Sequence, residues 1–203
     1  MNYLAHAYLS FNKPEILVGN MISDFVKGKN KFNYSPGIQK GITLHRAIDQ
    51  FTDDHPATKA AKLFFRPAYR LYAGAFIDVA YDHFLAIDRS EFILNTDLEK
   101  FSKSVYETLQ DNFSFLPEIF QKMLPYMKTQ NWLYNYQYKW GIEKGFRGLA
   151  NRAAYLNESS IAFSIFNKHY GELKEYYHAF FPEQKQFAAL QLRNLLEDIS
   201  LYP

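Results

Sequence analysis

Cysteine is absent from this 203-residue chain, so neither a disulfide nor thiolate chemistry is open to it. Any metal it holds must be bound by His, Asp, Glu or Asn, and such hard oxygen and imidazole donors suit Mn²⁺, Mg²⁺, Fe²⁺ or Zn²⁺ better than thiophilic ions. No apolar run reaches the ~18 residues of a membrane span. The start, Met1-Asn2-Tyr3-Leu4-Ala5-His6, carries no basic leader, which makes a soluble cytoplasmic protein the expectation. Charge of one sign is also scarce: a net +2 carries no argument for nucleic acid. With no repeat, low-complexity linker or composition break, residues 1–203 read as one domain. What is plentiful is aromatic: 18% of residues, beside 22% charged, which excludes disorder and points to a Phe/Tyr-rich interior.

Helix signals recur and strand signals are few, so the expected fold is an all-α multi-helix bundle. Pro14-Glu15 opens a helix running to about Lys27, where Gly28 ends it. Ser35-Pro36 is an N-cap with proline in the first turn of a helix through His45 and Asp49. His55-Pro56 stops it and starts the next, which is expected to kink at Pro67. A further helix covers about Leu71 to Ile87, and Thr96-Asp97-Leu98-Glu99 forms a capping box for one ending near Asn112. Beyond, Pro117, Pro125, Gly141 and Gly171 punctuate more helix; Asn157 caps one, and Pro182 opens the last, ending near Tyr202. The aromatic run 131–140 admits a short strand.

Three of these helices carry polar pairs at i,i+4 within apolar sequence: Asn20/Asp24, His45/Asp49 and Asp78/Asp82. That spacing stacks two side chains on one face. A buried carboxylate must be neutralised, ion-paired or bound to a metal, and no Lys or Arg lies between Arg70 and Arg89 to offset Asp78 and Asp82 locally. Taken singly, each group has a structural reading. His6, between two alanines, suits a hydrogen-bonded core position; Asn20/Asp24 suits a buried network; His45/Asp49 suits an ordinary pair; His55 suits a cap. A single metal centre accounts for them together. His83 projects about 100° around the helix from Asp82, at the edge of such a cluster.

Cations are patterned too. Lys59, Lys62, Arg66 and Arg70 fall at steps of three and four and line one helix face. The reading is either a solvated face or a docking strip for an acidic partner.

The blocks Asn2-Tyr3-Leu4-Ala5-His6, Gly19 to Gly28, Gly41 to Pro56 and Asp78 to Ala86, in this order, resemble the acyl carrier protein phosphodiesterase family; Gly145 to Arg152 is a weaker echo. The resemblance implies hydrolysis of the phosphodiester joining 4′-phosphopantetheine to a serine of holo-acyl carrier protein, an acidic partner. It also implies Mn²⁺ dependence, with Mg²⁺ or Fe²⁺ as alternatives, and an HD-domain-like helical fold distantly related to the His-Asp phosphohydrolases. The chain departs from that signature: it has no His-Asp dipeptide and carries Asp82-His83 in reverse.

On this reading Asp24, His45, Asp82 and His83 dominate metal binding, with His6 and Asp78 as further ligands or orienting groups. Asp49 is a ligand or the acceptor of a proton from the attacking water, and Asp24 is catalytic through the metal. Arg46 neutralises phosphoryl charge, Arg147 and Arg152 are weaker candidates for the same task, and Asn20 and the Lys59/Lys62/Arg66/Arg70 strip serve substrate and partner. Two alternatives stay open: an HD-like phosphohydrolase of a nucleotide or other small diester, and a non-enzymatic helical binding protein. A di-iron bundle is disfavoured because paired Glu-x-x-His motifs are missing.

Overall fold

The computed structural model describes residues 1–94, 96–152 and 159–197, the side chains of 151 and 152 excepted. It is built of α1 (Tyr3–Tyr8), α2 (Pro14–Ile22), α3 (Pro36–Asp54), α4 (Pro56–Tyr69), α5 (Ala73–Ala86), α6 (Asp97–Asp111), α7 (Glu118–Thr129), α8 (Trp132–Asn135), α9 (Lys139–Arg152), α10 (Ser160–Lys168) and α11 (Tyr170–Glu197). There is no strand among the described residues. Among the described residues no helix is long and apolar enough to cross a membrane.

The central element is α5, buried along nearly its whole length and packed against α1, α4, α9 and α11. Phe65, Phe76 and Phe146 meet on one side of it. Tyr81, Phe84, Tyr177 and Phe180 meet on the other. Each fully buried aromatic of this kind contributes roughly 1.5–3 kcal/mol through the area it removes from water. A helix so enclosed cannot afford a polar side chain without a partner, which makes Asp82 and His83, both on α5, the residues to account for.

The helices α2 and α3 cross with their backbones in contact. A Cβ on Gly19 would lie 2.1 Å from the Ile38 carbonyl oxygen, and one on Gly41 would lie 2.3 Å from that of Ile16. Only glycine permits this approach, and it sets the distance between Asn20 and His45 one turn further on.

Local signals are kept where no distant group competes. Ser35 Oγ accepts the Ile38 N–H, and His55 Nδ1 accepts the Ala57 N–H, so α3 and α4 start as the sequence indicates. Other expectations need correction. The helix from Pro14 ends at Ile22 rather than Lys27 and tightens into a 3₁₀ turn, Ser23–Phe25, which carries Asp24 off the helix. Thr96 makes no side-chain cap; Asp97 Oδ2 takes the Leu94 N–H instead, 2.8 Å away. The segment 131–140 holds no strand: it forms the short helix α8, a turn over 136–138 and the start of α9, with the Leu133 N–H donating to Tyr106 Oη at 3.0 Å. Gly141 lies inside α9, and Pro182 lies inside α11, where buried Phe180 and Phe181 hold the helix continuous across it. Asn157, Tyr202 and the side chain of Arg152 lie outside the described residues.

Candidate functional site

Asn20 is 1% exposed and organises two imidazoles at once. Its Nδ2 donates to the His6 carbonyl at 2.8 Å and to Ser10 Oγ at 3.1 Å. Its Oδ1 therefore faces His6 Nδ1, 2.8 Å away, and an amide oxygen can only accept. Its backbone carbonyl, in the last turn of α2 where no helical partner exists, accepts from His45 Nδ1 at 2.7 Å. Both Nδ1 atoms must then carry a hydrogen, which leaves both Nε2 atoms with a lone pair when the rings are neutral. The two rings stack 3.9 Å apart, so these lone pairs lie side by side.

They meet carboxylates. His45 Nε2 lies 3.0 Å from Asp49 Oδ2 and 3.2 Å from Asp24 Oδ1, and His6 Nε2 lies 3.1 Å from Asp49 Oδ1. His6 Nε2 is buried and takes part in no hydrogen bond. Acceptors brought this close repel one another unless something positive sits among them. In the protein alone that role falls to a proton: burial opposes the charge on His45, but the bonds to Asp24 and Asp49 outweigh it and raise its pKa to about 9. Burial, with His45 beside it, lowers His6 to about 4 and keeps that ring neutral. Burial also pushes Asp49 up, but His6, the terminal amine and His45 overcome this and hold its carboxyl well below the usual range. Asp24, with its side chain 70% exposed, is held low by its bond to His45.

The donor set fits a divalent cation: two imidazole nitrogens with fixed tautomers, plus carboxylate oxygens from two separate elements. His6, His45 and Asp49 each offer a ligand atom within 4.8 Å of the others, and Asp24 adjoins them through His45.

The other sequence-derived candidates lie around this group or away from it. Asp78 Oδ1 lies 3.0 Å from the amino nitrogen of Met1, which is also 3.4 Å from Asp49 Oδ1. That amine is raised to about 10, its burial being outweighed by Asp78 and Asp49, while burial raises Asp78. Asp82 is fully buried and points elsewhere: its two oxygens accept the N–H groups of Leu4 at 2.8 Å and Ala5 at 3.1 Å. Those are the unsatisfied donors at the start of α1, whose N-cap Asn2 makes no side-chain cap, its Nδ2 donating instead to Tyr136 Oη at 2.7 Å. Asp82 thus caps the helix that carries His6; burial raises its pKa to about 7 against those two bonds. His83 is spent as well, Nδ1 on the Tyr136 carbonyl at 2.7 Å and Nε2 on Tyr170 Oη at 2.9 Å.

Among the cations, Arg46 is exposed and donates to the Val26 carbonyl at 3.1 Å, fixing the turn that presents Asp24. Lys62 pairs with Asp53 at 2.6 Å and Lys59 with Asp54 at 3.6 Å. Arg66 and Arg70 are exposed, as is Arg147 on α9. Sequence reasoning missed the backbone carbonyl of Asn20 and the amine of Met1, which no residue-type pattern signals. It also missed a pocket of about 560 Å³ against α1, α8 and α9. The spacing of Gly141, Gly145 and Gly148 around Trp140 could have pointed to it.

The chain is similar to known proteins along most of its length. The chain is 31% identical over 196 residues to an acyl carrier protein phosphodiesterase of Photorhabdus laumondii, covering 94% of this chain and 99% of that one. It is 32% identical over 182 residues to the same-named protein of Yersinia pestis, covering 90% and 94%, and 30% over 188 residues to that of Serratia proteamaculans, covering 93% and 97%. No solved structure matches the chain. The family model for acyl carrier protein phosphodiesterase matches residues 1–184, and this chain belongs to that family.

Proposed function

We propose that this protein is a metal-dependent phosphodiester hydrolase that removes 4′-phosphopantetheine from holo-acyl carrier protein. The observation that carries the reading is the pair of imidazoles whose Nδ1–H groups are both held by Asn20, so that both Nε2 atoms face Asp49. Family membership supports the substrate.

His6, His45, Asp49 and Asp24 would hold the cation, with Mn²⁺ the first choice and Mg²⁺ or Fe²⁺ as alternatives. Bound there, it would polarise a phosphoryl oxygen and bring the pKa of water toward neutrality. Asn20 keeps both rings in the ligating tautomer. Asp24, the most exposed carboxylate of the group, receives a proton from the attacking water. Water oxygen bonds to phosphorus, the bond from phosphorus to the serine oxygen breaks, and that oxygen takes up the proton. Apo-carrier and 4′-phosphopantetheine result. No serine or threonine hydroxyl is needed as a nucleophile.

The partner reaches the site along α4. Lys62 lies beside Gly74, where an added Cβ would be 3.3 Å from Lys62 Cε, and Asp78 follows one turn later on α5. Further along that face stands Arg66, and Arg70 follows just past the end of α4, where its positive φ takes it off the helical face; Leu63 at 57% and Leu71 at 98% exposure flank them. Exposed arginines bordered by exposed leucines suit an acidic amphipathic helix. The reading is tested by comparing holo-carrier protein with a free small phosphodiester under Mn²⁺. It expects kcat/KM to favour the carrier by at least about a hundredfold, and equal turnover would transfer the activity to small diesters.

A further inference from the structure

The pocket of about 560 Å³ lies within the size range of small-molecule sites, roughly 300–1,000 Å³. Two of its wall residues are chain neighbours of groups at the candidate centre. Asn2, in its wall, follows Met1, whose amine contacts Asp49 and Asp78; Val79, also in its wall, follows Asp78. A substrate whose phosphorus lies at the histidines would reach this pocket past Met1 and Asp78.

One wall is the bare face of α9. Gly141, Gly145 and Gly148 repeat at i, i+4 and i+7 and so share a face. Two of them are required by packing: a Cβ on Gly141 would lie 2.0 Å from the Asn135 carbonyl oxygen, and one on Gly145 2.9 Å from Val79 Cγ1. Gly148 is different, because a Cβ there meets nothing within 4 Å. Glycine inside a helix costs about 0.5–1 kcal/mol relative to alanine, and an added Cβ at this position would have open space. Its effect is to leave the pocket open. Opposite stand apolar and amide groups, among them Met123, Gln130, Asn135 and Trp132, while Trp140, the chain's other tryptophan, is on α9 itself. Lys144, 4.9 Å over the Trp140 ring, and Arg147 bring positive charge to the same pocket.

A lining that mixes apolar and amide groups matches a slender chain with methyl and amide groups, and positive charge favours one joined to a phosphate. We propose that this pocket holds the pantetheine arm of the carrier's prosthetic group, from the dimethyl carbon next to the phosphate to the thiol. This rests on the hydrolase reading, which fixes the phosphate end. The arm then enters between α1 and α9 while the carrier protein stays on the α4 side.

Trp132 and Trp140 report occupancy without any turnover. The experiment titrates the protein with free pantetheine, which lacks the phosphate, and follows tryptophan emission in the wild type and in Gly148→Leu. The variant meets no atom at its Cβ and exchanges glycine for a better helix former; circular dichroism verifies its fold. A saturable emission change in the wild type, lost in Gly148→Leu, with KM for holo-carrier raised about tenfold or more in the variant, is the expected result. Emission unmoved by millimolar pantetheine, or an unchanged KM in the variant, while the wild type still releases 4′-phosphopantetheine, overturns the pocket assignment alone. A wild type that binds pantetheine but releases nothing from holo-carrier overturns the hydrolase reading and leaves the pantetheine pocket standing.

Discussion

His45 donates its Nδ1–H to the backbone carbonyl of Asn20 at 2.7 Å, across a helix crossing that glycine alone allows. The Asn20 side chain fixes His6 in the same tautomer. One residue thus sets the direction of two nitrogen lone pairs. Replacing it by leucine removes the side-chain acceptor and the two donor bonds while retaining the carbonyl. Asn20→Leu is expected to weaken Mn²⁺ binding by about 10–100-fold, read by isothermal titration, with His45→Ala weaker still. Equal affinity in wild type and variant would show that the tautomers are set elsewhere.

Asp82 and Asp49 should respond in opposite ways. Asp82→Ala strips the partner from two buried N–H groups at the start of α1, each costing about 1–3 kcal/mol. A lower melting temperature is expected, with metal affinity retained in the fraction that folds. Asp49→Ala should do the reverse, removing metal binding with little loss of helix content. Calorimetry and metal titration on the two variants check this contrast.

The protonated state of His45 has a consequence for stability. Its folded pKa, about 9, lies above the unfolded value of 6.5. The stabilisation it supplies is therefore complete below pH 6.5 and is lost as the pH rises through about 9. In chelator, the melting temperature should fall across that interval, and the fall should shrink in His45→Gln. Mn²⁺ added at pH 7 should release a proton from His45, seen as a buffer-dependent heat.

The crossing at Gly19 and Gly41 should tolerate no side chain. Gly41→Ala places a Cβ 2.3 Å from the Ile16 carbonyl oxygen and forces α2 from α3. A loss of about 1–3 kcal/mol in urea unfolding is expected, together with a weaker metal site, because the Asn20 carbonyl moves away from His45.

For the carrier-facing surface, Arg66→Glu with Arg70→Glu should raise KM for holo-carrier at least about tenfold with kcat nearly unchanged, the effect shrinking at high salt. Kinetics unmoved by the double change would put the docking surface on another face.

What was legible in the sequence was local. Ser35-Pro36 and His55-Pro56 set the limits of α3 because their partners lie two or three residues away. The i,i+4 spacing of His45 and Asp49 carried directly into a 3.0 Å contact. Where the partner is distant, the pattern misdirects. Asp82 resembles a ligand by composition, yet its acceptors meet backbone groups 77 and 78 positions away. Asp24 looked helical beside Asn20, but the 3₁₀ turn held by Arg46 swings it toward His45. Pro182 read as the opening of the last helix, whereas packing of α11 on the core carries one helix from Tyr170 through it.

The central claim is that His6, His45, Asp24 and Asp49 gather a divalent cation to cut the prosthetic group from its serine. The direct measurement is the intact mass of holo-acyl carrier protein after incubation with Mn²⁺ and either the wild type or His45→Ala. The wild type should shift the carrier to its apo mass, with 4′-phosphopantetheine released, while the variant leaves it unchanged. A carrier that keeps its prosthetic group with the wild type, or loses it equally with the variant, would contradict the account.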